Sequence, residues 1–242
     1  MKALPKINAV YWLCLMCASV FGTNTGDFVA DYLHIGHLTG LPYLLVLLVL
    51  ILVVARFSPV RSPLYFWAAI ITVRTAATNV GDAFGDFHIH FETSLPLTLA
   101  IFAVVAIAYA VIDGKAAKDS GGLPVTPLYW LSMIMAGIVG TIGGDYASFG
   151  LHLMPPGTAV VFGVLAVALL VVGRKAAATQ PLYYWLILAV VRTAGTGGGD
   201  ALAHLFGLVP ATVITGTVFV ALIVVFYAFV RDNARDEALP VA

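Results

Sequence analysis

Four times along this chain, an apolar run long enough to cross a bilayer carries a Trp and, fifteen residues later, an Asp: Trp12 to Asp27, Trp67 to Asp82, Trp130 to Asp145 and Trp185 to Asp200. Each Asp is preceded directly by a Gly (Gly26, Gly81, Gly144, Gly199), and a Thr stands four residues before it (Thr23, Thr78, Thr141, Thr196). Such self-similarity constrains the fold more than any single motif, because copies of one unit have to bury their faces against one another. The motif runs alternate with runs that hold almost nothing polar, giving apolar stretches near 9–30, 41–57, 63–86, 95–112, 127–149, 158–173, 181–205 and 210–230. A helical crossing needs ~20 such residues, so the expectation is eight transmembrane helices, two to each repeat.

Composition agrees. Hydrophobic residues fill 61% of the 242 positions and charged ones 10%, a balance foreign to soluble domains. Net charge is zero, which removes the basic footprint that nucleic-acid binding needs. The two cysteines, Cys14 and Cys17, lie inside an apolar run and are expected to be buried thiols. Ten of the twelve Lys and Arg (Lys2, Lys6, Arg56, Arg61, Lys115, Lys118, Arg174, Lys175, Arg231 and Arg235) fall at the termini or in alternate loops. The positive-inside rule then makes both termini cytoplasmic. The first apolar run carries the repeated motif, so it is expected to be a crossing and not a signal peptide. His34, His37, His88, His90 and His152 fall on the opposite, external side, where they form a candidate vestibule.

The Asp-to-Asp separations of 55, 63 and 55 describe a duplicated duplication, with halves 1–118 and 119–242 inside a single membrane domain. Two crossings per repeat make all four motif helices parallel. The expected fold is therefore all-α: four parallel two-helix repeats around a pseudo-fourfold axis, a two-fold of duplicated halves, with motif helices inside and apolar helices facing the lipid bilayer. Tandem two-helix repeats with this Trp and Gly-Asp pair resemble the bacterial membrane-protein family called domain of unknown function 347, which typically carries four copies. The resemblance spans nearly the whole chain and implies the architecture and a bacterial inner (plasma) membrane, while supplying no activity. The family often has Glu near the positions where this chain has Thr.

Residues four apart share a helix face. The motif faces read Ser19-Thr23-Asp27-Asp31, Arg74-Thr78-Asp82-Asp86, Gly137-Thr141-Asp145-Phe149 and Arg192-Thr196-Asp200-His204. Beside them run Gly22/Gly26, Ala77/Gly81, Gly140/Gly144 and Gly195/Gly199, a spacing that lets helices approach closely in a bilayer. Tyr11, Trp12, Tyr65, Trp67, Tyr129, Trp130, Tyr184 and Trp185 open the motif helices, where interfacial anchors are expected.

Six Asp against two Arg within the spans leave an excess of four acids. Charge inside a membrane is costly without a partner and marks function by default, so either several carboxylates hold protons or cations supply the missing charge. The favoured reading is a cation transporter or channel, for a divalent metal or coupled to protons. Asp27, Asp82, Asp145 and Asp200 would bind the ion, Thr23, Thr78, Thr141 and Thr196 would form a hydroxyl ring, and Asp31 and Asp86 would lie further out. With His204 added, the four Asp make a mixed metal site suited to Mn²⁺, with Zn²⁺ or Fe²⁺ as alternatives. Arg74 and Arg192 would pair with acids or gate the path. A membrane-embedded metal-dependent enzyme acting on a hydrophobic substrate is the second reading, although no HExxH helix is present. The third is a structural or sensory helix bundle.

Overall fold

A glycine or proline punctuates nearly every junction of this chain, and the computed structural model turns those junctions into a chain of hairpins. It describes residues 5–59, 62–120 and 122–236, with the backbone alone at 118–120 and 226–236. Lys2 and Arg61 lie outside the described residues, as do the side chains of Lys118, Arg231 and Arg235. Everything described is helix, turn or loop: α1 (Ala9–Asp27), α2 (His37–Phe57), α3 (Leu64–Asp86), α4 (Phe91–Ile112), α5 (Gly114–Ser120), α6 (Pro127–Asp145), α7 (Met154–Val172), α8 (Ala176–Thr179), α9 (Pro181–Phe206) and α10 (Leu208–Asp236).

Local chemistry sets the ends. Asn8 Oδ1 accepts from Tyr11 N at 2.9 Å to start α1, and Thr126 Oγ1 accepts from Tyr129 N at 3.2 Å to start α6. Past Asp27 and Asp145 the helix widens by one residue, so Leu33 N reaches Phe28 O at 3.0 Å and Leu151 N reaches Tyr146 O at 2.8 Å. The reversal after each motif helix uses a left-handed residue: His34, His88 and His152 with φ of 54°, 56° and 58°, and Gly207 with φ of 84°. Histidine is among the few side chains that tolerate this region. Three of the five histidines expected on the external side thus have a backbone role as helix terminators.

Six helical segments are long and apolar enough to cross a membrane: Ala9–Tyr32, His37–Phe57, Phe91–Ile112, Pro127–Gly150, Met154–Val172 and Leu208–Val225. Missing from that set are α3 and α9, the two motif helices that carry Arg74 and Arg192.

Inner and outer helices then separate. α1, α3, α6 and α9 touch one another in cyclic order, α1 to α3 to α6 to α9 and back to α1. Each apolar helix leans on the motif helix of the following unit: α2 on α3, α4 on α6 and α7 on α9, while α10 returns to α1 and closes the circle. The outward faces of α2, α4, α7 and α10 are exposed Leu, Val and Ile, such as Leu45, Val104, Val164 and Val220. An apolar surface of that extent calls for lipid, not water.

The inner contacts are made by the small residues. A methyl group placed on Gly26 would lie 2.7 Å from Thr78 Cγ2, one on Gly81 2.7 Å from Thr141 Cγ2, one on Gly144 2.7 Å from Thr196 Cβ, and one on Gly199 2.9 Å from Thr23 Cβ. The Gly before each Asp is therefore where the Thr of the next helix presses in. Equivalent positions meet at all four seams, so the inner helices run parallel.

The aromatic girdle departs from expectation. Tyr11, Tyr129 and Tyr184 are fully buried, and Trp12, Trp67, Trp130 and Trp185 are buried with them. They pack edge-on or tilted against one another and against Phe66, with ring centroids about 5–6 Å apart. An amphipathic ring at a helix start suits a headgroup layer and a packed bundle end equally well, and here the bundle takes it. Only half-buried Tyr65 of that set faces outward enough to serve as an anchor.

Candidate functional site

On each inner helix a Thr is followed one turn later by an Asp, a climb of about 6 Å toward the helix C-terminus. All four Thr and all four Asp line one cavity of about 410 Å³ at that end of the bundle. Asp31, His37, Phe149, Ala203 and His204 complete its wall. The residues singled out by the repeat are thus brought together, with three exceptions. Asp86, Arg74 and Arg192 are not on the wall.

Against the Thr hydroxyls of the cavity lies a guanidinium. Arg74, fully buried, donates from Nε to Ser19 Oγ (3.3 Å), from Nη1 to Thr78 and Thr141 Oγ1 (2.8 and 2.7 Å), and from Nη2 to Thr23 and Thr196 Oγ1 (2.6 and 2.7 Å). Its five N–H donors meet five hydroxyls, which is the full capacity of the group. The expected hydroxyl ring is therefore a clasp around one arginine head and not a free ring for an ion. All four carboxylates stand within range of its charge. None is in salt-bridge contact with Arg74, since every ion pair among the described residues belongs to His37.

Below Arg74 the axis is closed again. Arg192 is fully buried and reaches Met133 Sδ from Nη2 at 3.5 Å, while its Nε and Nη1 have no protein partner. Beneath it, hydroxyls of Tyr11, Tyr129 and Tyr184 form a triangle with sides of 2.6, 3.0 and 3.5 Å. Phe66 holds the fourth place. The pairing of either arginine with an acid, expected from the charge count, is not what holds them.

At the mouth stands His37, placed by sequence only among the external histidines. It is the first residue of α2, with Nδ1 2.8 Å from Asp86 Oδ2 and Nε2 3.8 Å from Asp31 and 4.0 Å from Asp82. One imidazole thus gathers acids from α3 and from the turn after α1, and it links Asp86 to the cavity. The other loop histidines, His34, His88, His90 and His152, do not line the cavity.

The donor set is mixed: hard carboxylates and, at the rim, borderline imidazole. Among the described residues no three His, Cys, Asp or Glu side chains converge closely enough to hold a metal ion directly. The acids surround a volume, and that volume suits a hydrated ion or a small organic cation better than a bare one. Cys14 and Cys17 are free thiols away from this cavity.

Comparison with known proteins reaches the same repeat. The family described as Repeat of Unknown Function (DUF347) matches residues 10–59 and 128–178. Those stretches are α1–α2 and α6–α7 with their flanks, the two units whose motif helices lack an arginine. No curated protein and no solved structure matches the chain. Two copies of the DUF347 repeat, one in each half of the chain, are what the sequence shares with known families.

Proposed function

We propose that this chain is an eight-crossing integral membrane protein that binds a cation among Asp27, Asp82, Asp145 and Asp200. The observation that carries the reading is one cavity lined by every motif Asp and every motif Thr, at one end of a ring of parallel helices. Acids gathered in so confined a space repel one another, and a positively charged occupant relieves that repulsion. α3 and α9 count as crossings because their 23 and 26 residues have the length and their polar faces turn inward, shielded from lipid by neighbours. Four units then surround a pseudo-fourfold axis, each donating its apolar helix to the next. The distribution of Lys and Arg supports cytoplasmic termini and an outward-facing mouth; a bacterial inner membrane is the location that the repeat family suggests.

A transporter or channel is the leading form of this reading, with the arginine head as a gate. Its cation is a divalent metal held through water, Mn²⁺ favoured over Zn²⁺ and Fe²⁺, or its transport is coupled to protons. Transport requires Arg74 to leave its hydroxyl clasp. The completeness of that clasp favours a second form, in which the site binds or senses without conducting. Flux of Mn²⁺ into proteoliposomes, wild type against Asp82→Asn, tests the first form, and equal flux in the two removes the claim of transport. Cation binding without flux supports the second.

A further inference from the structure

Resting on the cation reading above, we propose that the site takes an organic cation with an aromatic or branched apolar arm: its ammonium lies among the Asp carboxylates and its arm enters a side cavity between α3, α4 and α6. That cavity holds about 250 Å³ and shares Asp82, Asp145 and Phe149 with the main one. A ligand whose charge sits by Asp82 and Asp145 finds its next free space there.

Three departures from the repeat coincide at this place. One turn beyond the motif Asp, three units carry Asp31, Asp86 and His204, whereas the third carries Phe149, where the two cavities join. Three residues beyond the motif Asp stand Ala30, Ser148 and Ala203, whereas α3 has Gly85, at which an added Cβ would meet nothing within 4 Å. The third departure follows from the second. After α6, Ser148 Oγ donates to Thr158 Oγ1 of α7 at 2.9 Å. At the matching place on α4, Ser94 is fully buried on the cavity wall with its Oγ unpartnered, because Gly85 has no side chain to offer. Only this unit has a glycine at that position, and its orphan hydroxyl is the kind of group a ligand satisfies.

The lining fits the arm. Phe84, Phe91, Phe149 and Ile142 supply apolar surface that an inorganic ion cannot use. Aromatic faces close to carboxylates are also the setting in which substituted ammonium groups are recognised.

The test is calorimetric titration of the full chain in lipid nanodiscs with phenethylammonium, methylammonium and Mn²⁺. Phenethylammonium should bind on the order of ten- to fifty-fold more tightly than methylammonium, from burial of the phenyl group. Gly85→Leu puts an apolar side chain into the side cavity and replaces none of the acids, so it should bring phenethylammonium down to the level of methylammonium and leave methylammonium nearly unchanged. Phe149→Ala should lower the preference for the aromatic ligand in the same direction. Equal binding of the two ammonium ions, or a preference that survives Gly85→Leu, overturns the inference while leaving a cation site; an acyl chain filling the cavity would give that outcome. Failure of all three cations to bind removes the cation reading and this inference with it.

Discussion

Ala77 of α3 packs against Gly137 of α6, at the one seam of the inner ring where the first small residue of the pair carries a methyl group. At the other seams Gly22 faces Arg74, Gly140 faces Arg192 and Gly195 faces Ser19. A larger residue on one helix is thus matched by a glycine on its neighbour, and where the glycine has become Ala the neighbour has shrunk to Gly.

This matching predicts a compensating pair. Gly137→Ser should destabilise the bundle by about 1–3 kcal/mol through overpacking against Ala77. Ala77→Gly in the same chain should recover most of that loss, because contacting sites are not additive. Thermal unfolding of the single and double variants in detergent measures it. A double variant no better than Gly137→Ser alone would mean that the two residues do not share the seam.

The tyrosine triangle makes a second prediction. Tyr184 holds the two short bonds, 2.6 Å to Tyr11 and 3.0 Å to Tyr129, whereas those two are 3.5 Å apart. Tyr184→Phe leaves both partners nearly unbonded in a buried place and should cost about 1–2 kcal/mol. Phe66 shows that the ring position itself accepts Phe, so the loss reports hydroxyls and not shape. Unchanged denaturant stability of Tyr184→Phe would mean that the triangle contributes no hydrogen bonding.

How much of this was legible depended on repetition. Thr23, Thr78, Thr141, Thr196 and their Asp partners recur four times at one spacing, so their convergence on one face could be reasoned from symmetry, and one cavity does collect them. Features that break the repeat were not legible in the same way. His37 has no counterpart at the starts of α4, α7 and α10, so nothing in the pattern singled it out from the loop histidines. The available signal was the odd surplus of Asp31 and Asp86 on the facing side. The buried Trp and Tyr residues look like anchors in sequence because amphipathic rings at a helix end fit lipid headgroups and a packed bundle end alike. Which of the two obtains depends on rotation about the helix axis, and that is set by the glycine seams. The clasp around Arg74 was hidden for a related reason: a charge count looks for acids, whereas five hydroxyls from four helices meet the guanidinium.

That clasp predicts that single hydroxyls on α9 differ in worth. Thr196→Val removes the acceptor of one Arg74 Nη2–H bond of 2.7 Å and leaves a buried charged donor unmet. The expected cost is about 1.5–3 kcal/mol. Thr193→Val, on the same helix, loses only a bond to its own backbone at Ala189 O, 3.1 Å away, and should cost less than about 1 kcal/mol. Equal losses in unfolding experiments would show that Thr196 does not carry the guanidinium.

The last prediction separates the two roles of Arg74. Its charge lies about one helical turn below the Asp carboxylates, and there it does two opposed things. It offsets the mutual repulsion of the acids when no cation is bound, and it opposes any cation that enters. At about 8 Å and an effective dielectric near 20, one unit charge is worth about 2 kcal/mol, on the order of thirty-fold in affinity. Arg74→Gln, which keeps donors for some of the hydroxyls, should therefore be less stable than wild type without added cation and should bind cations more tightly. Its unfolding temperature should rise more steeply with cation concentration than that of wild type, because stabilisation by a ligand grows with its concentration relative to Kd. Titration of both proteins with Mn²⁺ and with methylammonium checks the sign. Weaker binding by Arg74→Gln would mean that the arginine builds the site and does not guard it, and the gate assigned to it would have to be sought elsewhere on the axis.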